Sequence, residues 1–401
     1  MTTTTEAPRV VPGSVPHSDG AGSSALRSDG AGNFIPVQTR SERPASYDPA
    51  DFPAPNGREV NWRYTPVAKL AVLTADTAGT DAVTVTVSGA DGVEQGRLAI
   101  GEAPRGEVFT PEDLPAAVAW QREASAPFIR IPANAELSAP VVVDVRGAGG
   151  LAHAHVVVEA GANSRATVVL RHHGSAQLGQ NVEIIVRDGA HLELVTVQQW
   201  EDDAVHAASH QARVERDAQL RHVVVSFGGG VVRVNPSVEL AGQGSSAELY
   251  GLSFADAGQH LESQVYLHHK GPHTKGDVLY KSALQGEGAR SVWIGDVLIG
   301  PDATGTDSYE ANRNLVLTDG ARADSVPNLE IETGDIIGAG HASATGRFDD
   351  EQLFYLQARG IPEEEARRLV VLGFLSEIVQ KIGVPSLEEE LITSIEEELA
   401  R

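Results

Sequence analysis

The chain has 401 residues, 41% of them hydrophobic and 21% charged, enough apolar material for a sizeable core and too much for a globally disordered protein. Lys and Arg number 31 against 55 Asp and Glu, and the net charge of −24 is spread along the chain, which disfavours a nucleic-acid backbone or an anionic membrane as partner. Cysteine is absent, so no disulfide, thiolate nucleophile or Cys-ligated zinc or iron–sulfur site can be built from this chain alone.

Residues 1–57 carry 8 of the 21 prolines and a duplicated Ser-Asp-Gly-Ala-Gly, at Ser18–Gly22 and Ser28–Gly32, without apolar periodicity. Such a segment buries too little to offset its ordering entropy and is expected to be a disordered tail. Its first residues lack the basic and apolar regions of a secretory signal, and no stretch reaches the roughly 18 apolar residues of a membrane span. A cytoplasmic protein is expected. Residues 58–118 read as a small mixed region. In it Trp62 and Tyr64 lead into a short helix or turn, and Ala82–Ser88 alternates with period two, as a half-buried strand does.

Residues 119–346 carry an internal repeat. Small-residue corners recur at Gly161-Ala162, Gly189-Ala190, Asp217-Ala218 and Gly244-Ser245, and the three alanines are 28 residues apart. Each corner precedes an alternating, β-branched run, and later corners at Gly288-Ala289, Asp302-Ala303 and Gly320-Ala321 are less regular. A fixed period with small residues at its corners predicts a stacked β-solenoid, because the backbone must turn tightly where coils stack. A string of hairpins in a β-sandwich is the alternative, and the repeated equal spacings count against it.

Residues 347–401 change to a helical period. Asp349-Asp350-Glu351 opens a helix that Gly360 closes; Pro362 is expected at the first position of a second, and Ser386 with Glu389 to cap a third. The second helix contains Leu369-Val-Val-Leu-Gly-Phe-Leu375, apolar around its whole circumference, so more than one side must be covered. The cover is expected from a partner protein or from the solenoid, the alternative being a helix wedged wholly within its own domain.

Three groups of histidines invite a metal: His153 with His155 on one strand face, His206 and His210 at helical spacing, and His268-His269 near His273. Each is also an ordinary polar pair. Gly228-Gly229-Gly230 lacks the Lys and helix of a phosphate loop and reads as a turn. Asp202-Asp203 and Asp349-Asp350 are carboxylate pairs of the kind a solenoid enzyme acting on polysaccharide would need, which is the alternative function, although four Trp offer little platform for sugar. A stand-alone metal-binding β protein is a third reading.

Between about residues 267 and 382 the sequence resembles the SufB/SufD family of iron–sulfur cluster assembly proteins. The resemblance rests on His269-Lys-Gly-Pro-His-Thr274, Tyr280-Lys281, Asn312-Arg-Asn-Leu315 and Pro327-Asn-Leu-Glu-Ile331. Its strongest part is Gly340-His-Ala-Ser-Ala-Thr-Gly346, running into Asp349–Leu356, Arg359–Pro362 and Glu365–Arg367; upstream, Trp62–Thr65 matches a short motif. The resemblance implies a mainly β protein, a right-handed parallel β-helix with a small C-terminal helical domain. It implies a non-catalytic scaffold that pairs with a SufB-like paralogue and docks a SufC-like ABC-type ATPase, where ATP would be hydrolysed. On that reading Leu369, Val370, Leu372, Phe374 and Leu375 face the ATPase partner. His341 matches the family histidine at the end of the β-helix and is a candidate ligand of a transient iron–sulfur cluster shared with the SufB-like chain. The SufB pattern has Glu after this histidine; Ala342 here fits the SufD branch, while Ala339 stands where that branch often has Cys.

Overall fold

The computed structural model describes residues 26–28, 34–36, 43–89, 92–348 and 350–399. Two short strands, β1 (Leu26–Ser28) and β2 (Phe34–Pro36), pair antiparallel. Then come a helical turn α1 (Ala71–Thr74), strands β3 (Val83–Ser88) and β4 (Glu94–Ala99), and helix α2 (Leu114–Arg122). The solenoid starts with β5 (Ser125–Ile131) and the long β6 (Val141–Ala160) and β7 (Arg165–Val186). It continues through β8 (His191–Trp200), β9 (Val205–Val214), β10 (Gln219–Gly228), β11 (Val231–Leu240), β12 (Ser246–Ala255) and β13 (His260–His269). Its last strands are β14 (Lys275–Leu284), β15 (Arg290–Ile299), β16 (Thr306–Val316), β17 (Arg322–Ile331) and β18 (Ile336–Arg347). Three helices follow: α3 (Asp350–Ala358), α4 (Glu363–Val379) and α5 (Pro385–Leu399).

This is the expected parallel β-solenoid, with about eight turns. Two strands make one turn. β8, β10, β12, β14, β16 and β18 stack as one wall, wall A, and β9, β11, β13, β15 and β17 as the other, wall B. β6 and β7 are long enough to run through both. The 28-residue period is the pairing offset itself: Gln219 lies beside His191 in wall A, and Val205 beside Gln177 in wall B.

The corners explain their own composition. Asn163, Asp217 and His273 have φ of 56°, 55° and 58°, and Gly189, Gly244 and Gly305 have φ of 67°, 72° and 68°. All are left-handed, where Gly, Asn and Asp are the least strained residues. They stack: the Gly189 amide donates to the Arg216 carbonyl at 2.9 Å, Asp217 to Gln243 at 2.9 Å, and Gly244 to Pro272 at 3.0 Å. His273 is therefore a corner residue.

From β8 to β15 both walls are largely buried on both faces, so their strands read as nearly continuous apolar runs such as Val223-Val224-Val225. Inward residues, among them Leu170, Leu194, Leu220, Leu249 and Val278, fill the solenoid. Outside wall A, Val195, Val197, Val223, Phe227, Tyr250 and Leu252 pack under α4 and α5. Outside wall B lie the segments before β5: Glu183 accepts from the amides of Gly106 and Val108 at 2.8 and 2.7 Å, and Arg233 bridges Glu262 and Asp113 at 3.1 and 2.8 Å.

Most of the expected tail, residues 1–57, lies outside the described residues. Its final part does not behave as a tail, because Phe52 is buried with Leu114, Ala117 and Val118, and Arg43 pairs with Glu112 at 2.9 Å. Two caps also differ from expectation. Pro362 is the residue before α4, and Pro385 takes the first position of α5, which puts Ser386 inside the helix. Among the described residues no helix is long and apolar enough to cross a membrane.

Candidate functional site

Among the described residues β17 and β18 end the two walls, and each has a strand neighbour on one side only. The first end is closed differently: β3 pairs antiparallel with β6, and β4 with β5. The far end of the solenoid is thus open. It exposes unusual apolar surface, with Tyr309, Ile331 and Ile337 all among the exposed large side chains.

His341 sits on β18, exposed, in register with Glu310 of β16. In parallel pairing, side chains in register point the same way, and neighbouring strands lie about 4.8 Å apart. That direction is inward. Two residues on from Glu310, Asn312 shares its face; four on, Asn314 donates to Thr345 Oγ1 at 3.1 Å and to Ser325 Oγ at 2.9 Å across the interior. Asn312, Asn314 and Ser325 tie one another together, with Asn314 donating to Asn312 Oδ1 at 2.8 Å.

Glu310 lies one turn deeper and is 1% exposed. Its carboxyl occupies the space left by Gly295 of β15, where an added Cβ would overlap Oε2. The edge of the Trp293 ring lines the same space. Neither carboxyl oxygen makes a well-formed hydrogen bond, and Trp293 Nε1 and Tyr280 Oη are likewise buried without one. Burial, with a smaller contribution from the Asp296 charge, pushes the Glu310 carboxyl up to about 8; the Asn328 amide alone favours its charged form. A buried carboxyl with so little hydrogen bonding is costly.

The other histidines do not gather here. His206 and His210 lie on β9 rather than a helix, because spacing of four also returns to the same face of a strand. Both point inward. His206 accepts from Trp200 Nε1 at 3.1 Å and its other nitrogen meets Gln180 at 3.2 Å, with His172 beside the same amide at 2.8 Å. His210 Nδ1 lies 3.0 Å from His222 Nε2. Desolvation holds all four neutral, lowering His172 and His222 to about 4 and His206 and His210 well below the ordinary value. His155 is sealed outside wall B against Phe109 and Trp120, 3.4 Å from Glu183, and His153 meets the Thr77 carbonyl at 3.0 Å. His269 is held by Thr274 and Ser308 at 2.8 and 3.0 Å. Among the described residues no three His, Asp or Glu side chains are placed to hold a metal ion together.

Asp202 accepts from Gln259 at 3.0 Å in a corner, and Asp349 lies outside the described residues. A groove of about 670 Å³ along the strand starts of wall A has Tyr309 as its single aromatic, and Arg221 there is tied to Glu193 and Glu248 at 2.9 and 2.6 Å. Gly228–Gly230 form the turn between β10 and β11, where a Cβ on Gly228 would overlap the Trp200 carbonyl oxygen.

The apolar α4 is covered by the solenoid. Val371, Leu375, Ile378 and Val379 pack on wall A, so Leu375, expected at a partner surface, is instead fully buried, and Leu372 and Phe374 are half-buried in the same cluster. Leu369 remains 42% exposed and Val370 half-buried. Phe354 and Tyr355 on α3, at 71% and 56% exposure, were not foreseen as surface residues.

Residues 143–374 match the family model described as SUF system FeS cluster assembly, SufBD core domain. The chain belongs to the SufB/SufD family. It is 50% identical over 364 residues to an iron-sulfur cluster assembly SufBD family protein of Mycobacterium tuberculosis, covering 88% of this chain and 92% of the relative. A SufBD family protein of Mycobacterium leprae is 48% identical over the same length, 88% and 93% of the two chains. Another SufBD family protein of M. tuberculosis is 29% identical over 201 residues, half of this chain and 24% of that one. Membership in a SUF-system family gives a role in iron–sulfur cluster assembly. It also gives the open end its context, since the matched segment includes β18 and His341.

Glu310 went unnoticed in the sequence. Thr306, Ser308, Glu310, Asn312 and Asn314 alternate as a polar row, which reads as a solvent face although it is the interior one.

Proposed function

We propose that this chain is the SufD-type subunit of a SufBCD-like complex: a scaffold that takes part in cluster assembly without hydrolysing ATP. Its open end pairs with a SufB-like paralogue, and its C-terminal helices dock a SufC-like ABC-type ATPase. The observation that carries this reading is the uncapped last turn with its exposed apolar side chains and His341 at its mouth. A transient iron–sulfur cluster is the cargo, shared with the other chain; this chain has no cysteine, so any thiolate comes from that partner. One organism, M. tuberculosis, holds two SufBD family proteins, one similar to this chain almost end to end and one only in part, which supports two distinct paralogues. Ala342 after His341 supports the SufD branch.

The ATPase surface on this reading is the apolar set left exposed when α4 docks: Phe354, Tyr355, Leu369 and Val370, with Leu372 and Phe374 at its buried edge. The test is anaerobic co-expression with the SufB-like and SufC-like partners, comparing wild type with His341→Ala and reading complex formation and bound iron and sulfide separately. An intact complex that loses its cluster in the variant places His341 at the cargo. An intact complex with unchanged cluster makes His341 structural, and no complex at all removes the reading.

A further inference from the structure

The last coil of the solenoid lacks what fixes the others. From β8 to β15 each strand lies between two neighbours, whereas no residue of β17 or β18 is buried. With packing on one side only, the distance between these two strands depends on directional bonds across the interior. One row of side chains supplies them. Gln198, Ser226, Ser253, Ser282, Asn314 and Thr345 are register partners on successive strands of wall A, one polar residue per turn. Gln198, Ser253 and Ser282 stand four residues past Leu194, Leu249 and Val278 and so share their inward face. Toward the open end the row reaches wall B: Ser291 of β15 donates to Ser282 at 2.8 Å, and Asn314 donates to Ser325 of β17 at 2.9 Å.

Asn314 holds the last coil together. Its amide N–H groups reach Ser325 Oγ of β17 and, at 3.1 Å, Thr345 Oγ1 of β18; among the described residues it is the one side chain hydrogen-bonded to side chains of both strands. It also donates to Asn312 Oδ1 at 2.8 Å, and Asn312 donates to the Tyr280 carbonyl of β14 at 3.2 Å, which anchors the tie one turn deeper. Asn314 is buried, so water does not compete for its amide.

We infer that Asn314 is a positioning residue for pairing: it sets the spacing of β17 and β18, and with it the two free edges that a second solenoid end must meet together. This rests on the reading of the open end as the pairing surface. Each edge offers a row of unpaired backbone groups, and a partner gains both rows only if both strands stand at the spacing of its own terminal coil. A spacing fixed beforehand removes the cost of fixing it on contact. Asn314 does not touch the partner; it acts through β17 and β18.

The test measures association of the full chain with its SufB-like partner by surface plasmon resonance, with amide exchange followed on each unpaired chain. The variants are Asn314→Leu, which keeps the bulk and removes the tie, Thr345→Val, Thr345→Ser, the Asn314→Leu/Thr345→Val double variant, and Ile337→Asp at an exposed position of β18. Asn314→Leu is expected to pair about tenfold more weakly, through slower association, with faster exchange confined to β17 and β18. Thr345→Val weakens pairing less because the Ser325 bond stays, Thr345→Ser restores it, and the double variant pairs like Asn314→Leu. Wild-type pairing by Asn314→Leu overturns the inference; if Ile337→Asp still abolishes pairing, the open-end reading survives, and if neither weakens it, both fall. If Asn314→Leu does not fold, Thr345→Val decides, with weakened pairing that Thr345→Ser restores supporting the tie and wild-type pairing rejecting it. Exchange raised throughout the solenoid in Asn314→Leu also rejects it, because the side chain then serves the core as a whole.

Discussion

Lys281 of β14 is pinned to α4: its ammonium donates to the Phe374 carbonyl at 2.8 Å and lies 2.6 Å from the Glu377 carboxylate. The ammonium nitrogen also lies over the Phe374 ring, 4.8 Å from its centroid, and the side chain is 5% exposed. The hydrogen bond from Lys281 draws the Glu377 carboxyl down. A residue of the solenoid thereby sets where the helical domain sits. Lys281→Met keeps the packing and removes the pin. With Glu377 half-exposed and its share discounted, the expected cost is about 1–3 kcal/mol. Hydrogen exchange should rise in α4 more than in β8–β12; uniform change would show that the pin is dispensable.

The two classes of apolar residue on α4 should respond differently. Leu375→Ala opens a cavity against wall A and is expected to cost about 2–5 kcal/mol by urea unfolding. Leu369→Ala, at an exposed position, should stay within about 1 kcal/mol. Together with Phe354→Ser it should instead reduce capture of the SufC-like ATPase in a pull-down. Retained capture by that double variant would move the docking surface elsewhere.

Acid should weaken the solenoid through His172, His206, His210 and His222. Unfolded, each titrates near 6.5; folded, desolvation keeps His172 and His222 neutral to about 4 and holds His206 and His210 well below the ordinary value. As pH falls the unfolded chain takes up protons first, so stability is lost from about pH 6.5 downward, at up to about 1.4 kcal/mol per histidine per pH unit. Urea titrations at pH 7.5, 6 and 5 would measure the slope. His222→Gln should flatten it, and an equally steep slope in that variant would assign the acid loss to other groups.

Glycines at positive φ should divide by what faces them. Gly258, φ 76°, has open space around an added Cβ, so Gly258→Ala costs only the left-handed strain, about 1 kcal/mol. At Gly228, φ 81°, the Cβ would also overlap the Trp200 carbonyl oxygen of the previous turn, which cannot yield without moving the coil. Gly228→Ala should cost at least twice as much, and equal melting temperatures for the two variants would contradict this.

The solenoid was legible because its corners are chemically constrained. Asn163, Gly189, Asp217 and Gly244 stand in a left-handed ladder that few residue types tolerate, so composition at one spacing reports architecture directly. Helix ends were less so: with Pro385 already fixed for the first turn, Ser386 has no cap to make. His206 and His210 misled because a spacing of four fits both a helix face and a strand face. Leu375 and Glu310 could not be placed at all from local pattern. One is buried by α4 docking on β-strands more than a hundred residues away in sequence, and the other faces inward on a strand whose polar alternation looks like a surface.

The two ends of the solenoid differ in a way that limits growth. Parallel coils stack with no intrinsic stopping point, so a molecule with two bare ends would polymerise head to tail into filaments. Here β3 and β4 run antiparallel across the first end and present the wrong polarity for another turn. Among the described residues the end bearing β17 and β18 is the one with parallel edges free. Were two such ends to meet, they would exhaust each other's free edges, and the assembly would terminate as a pair.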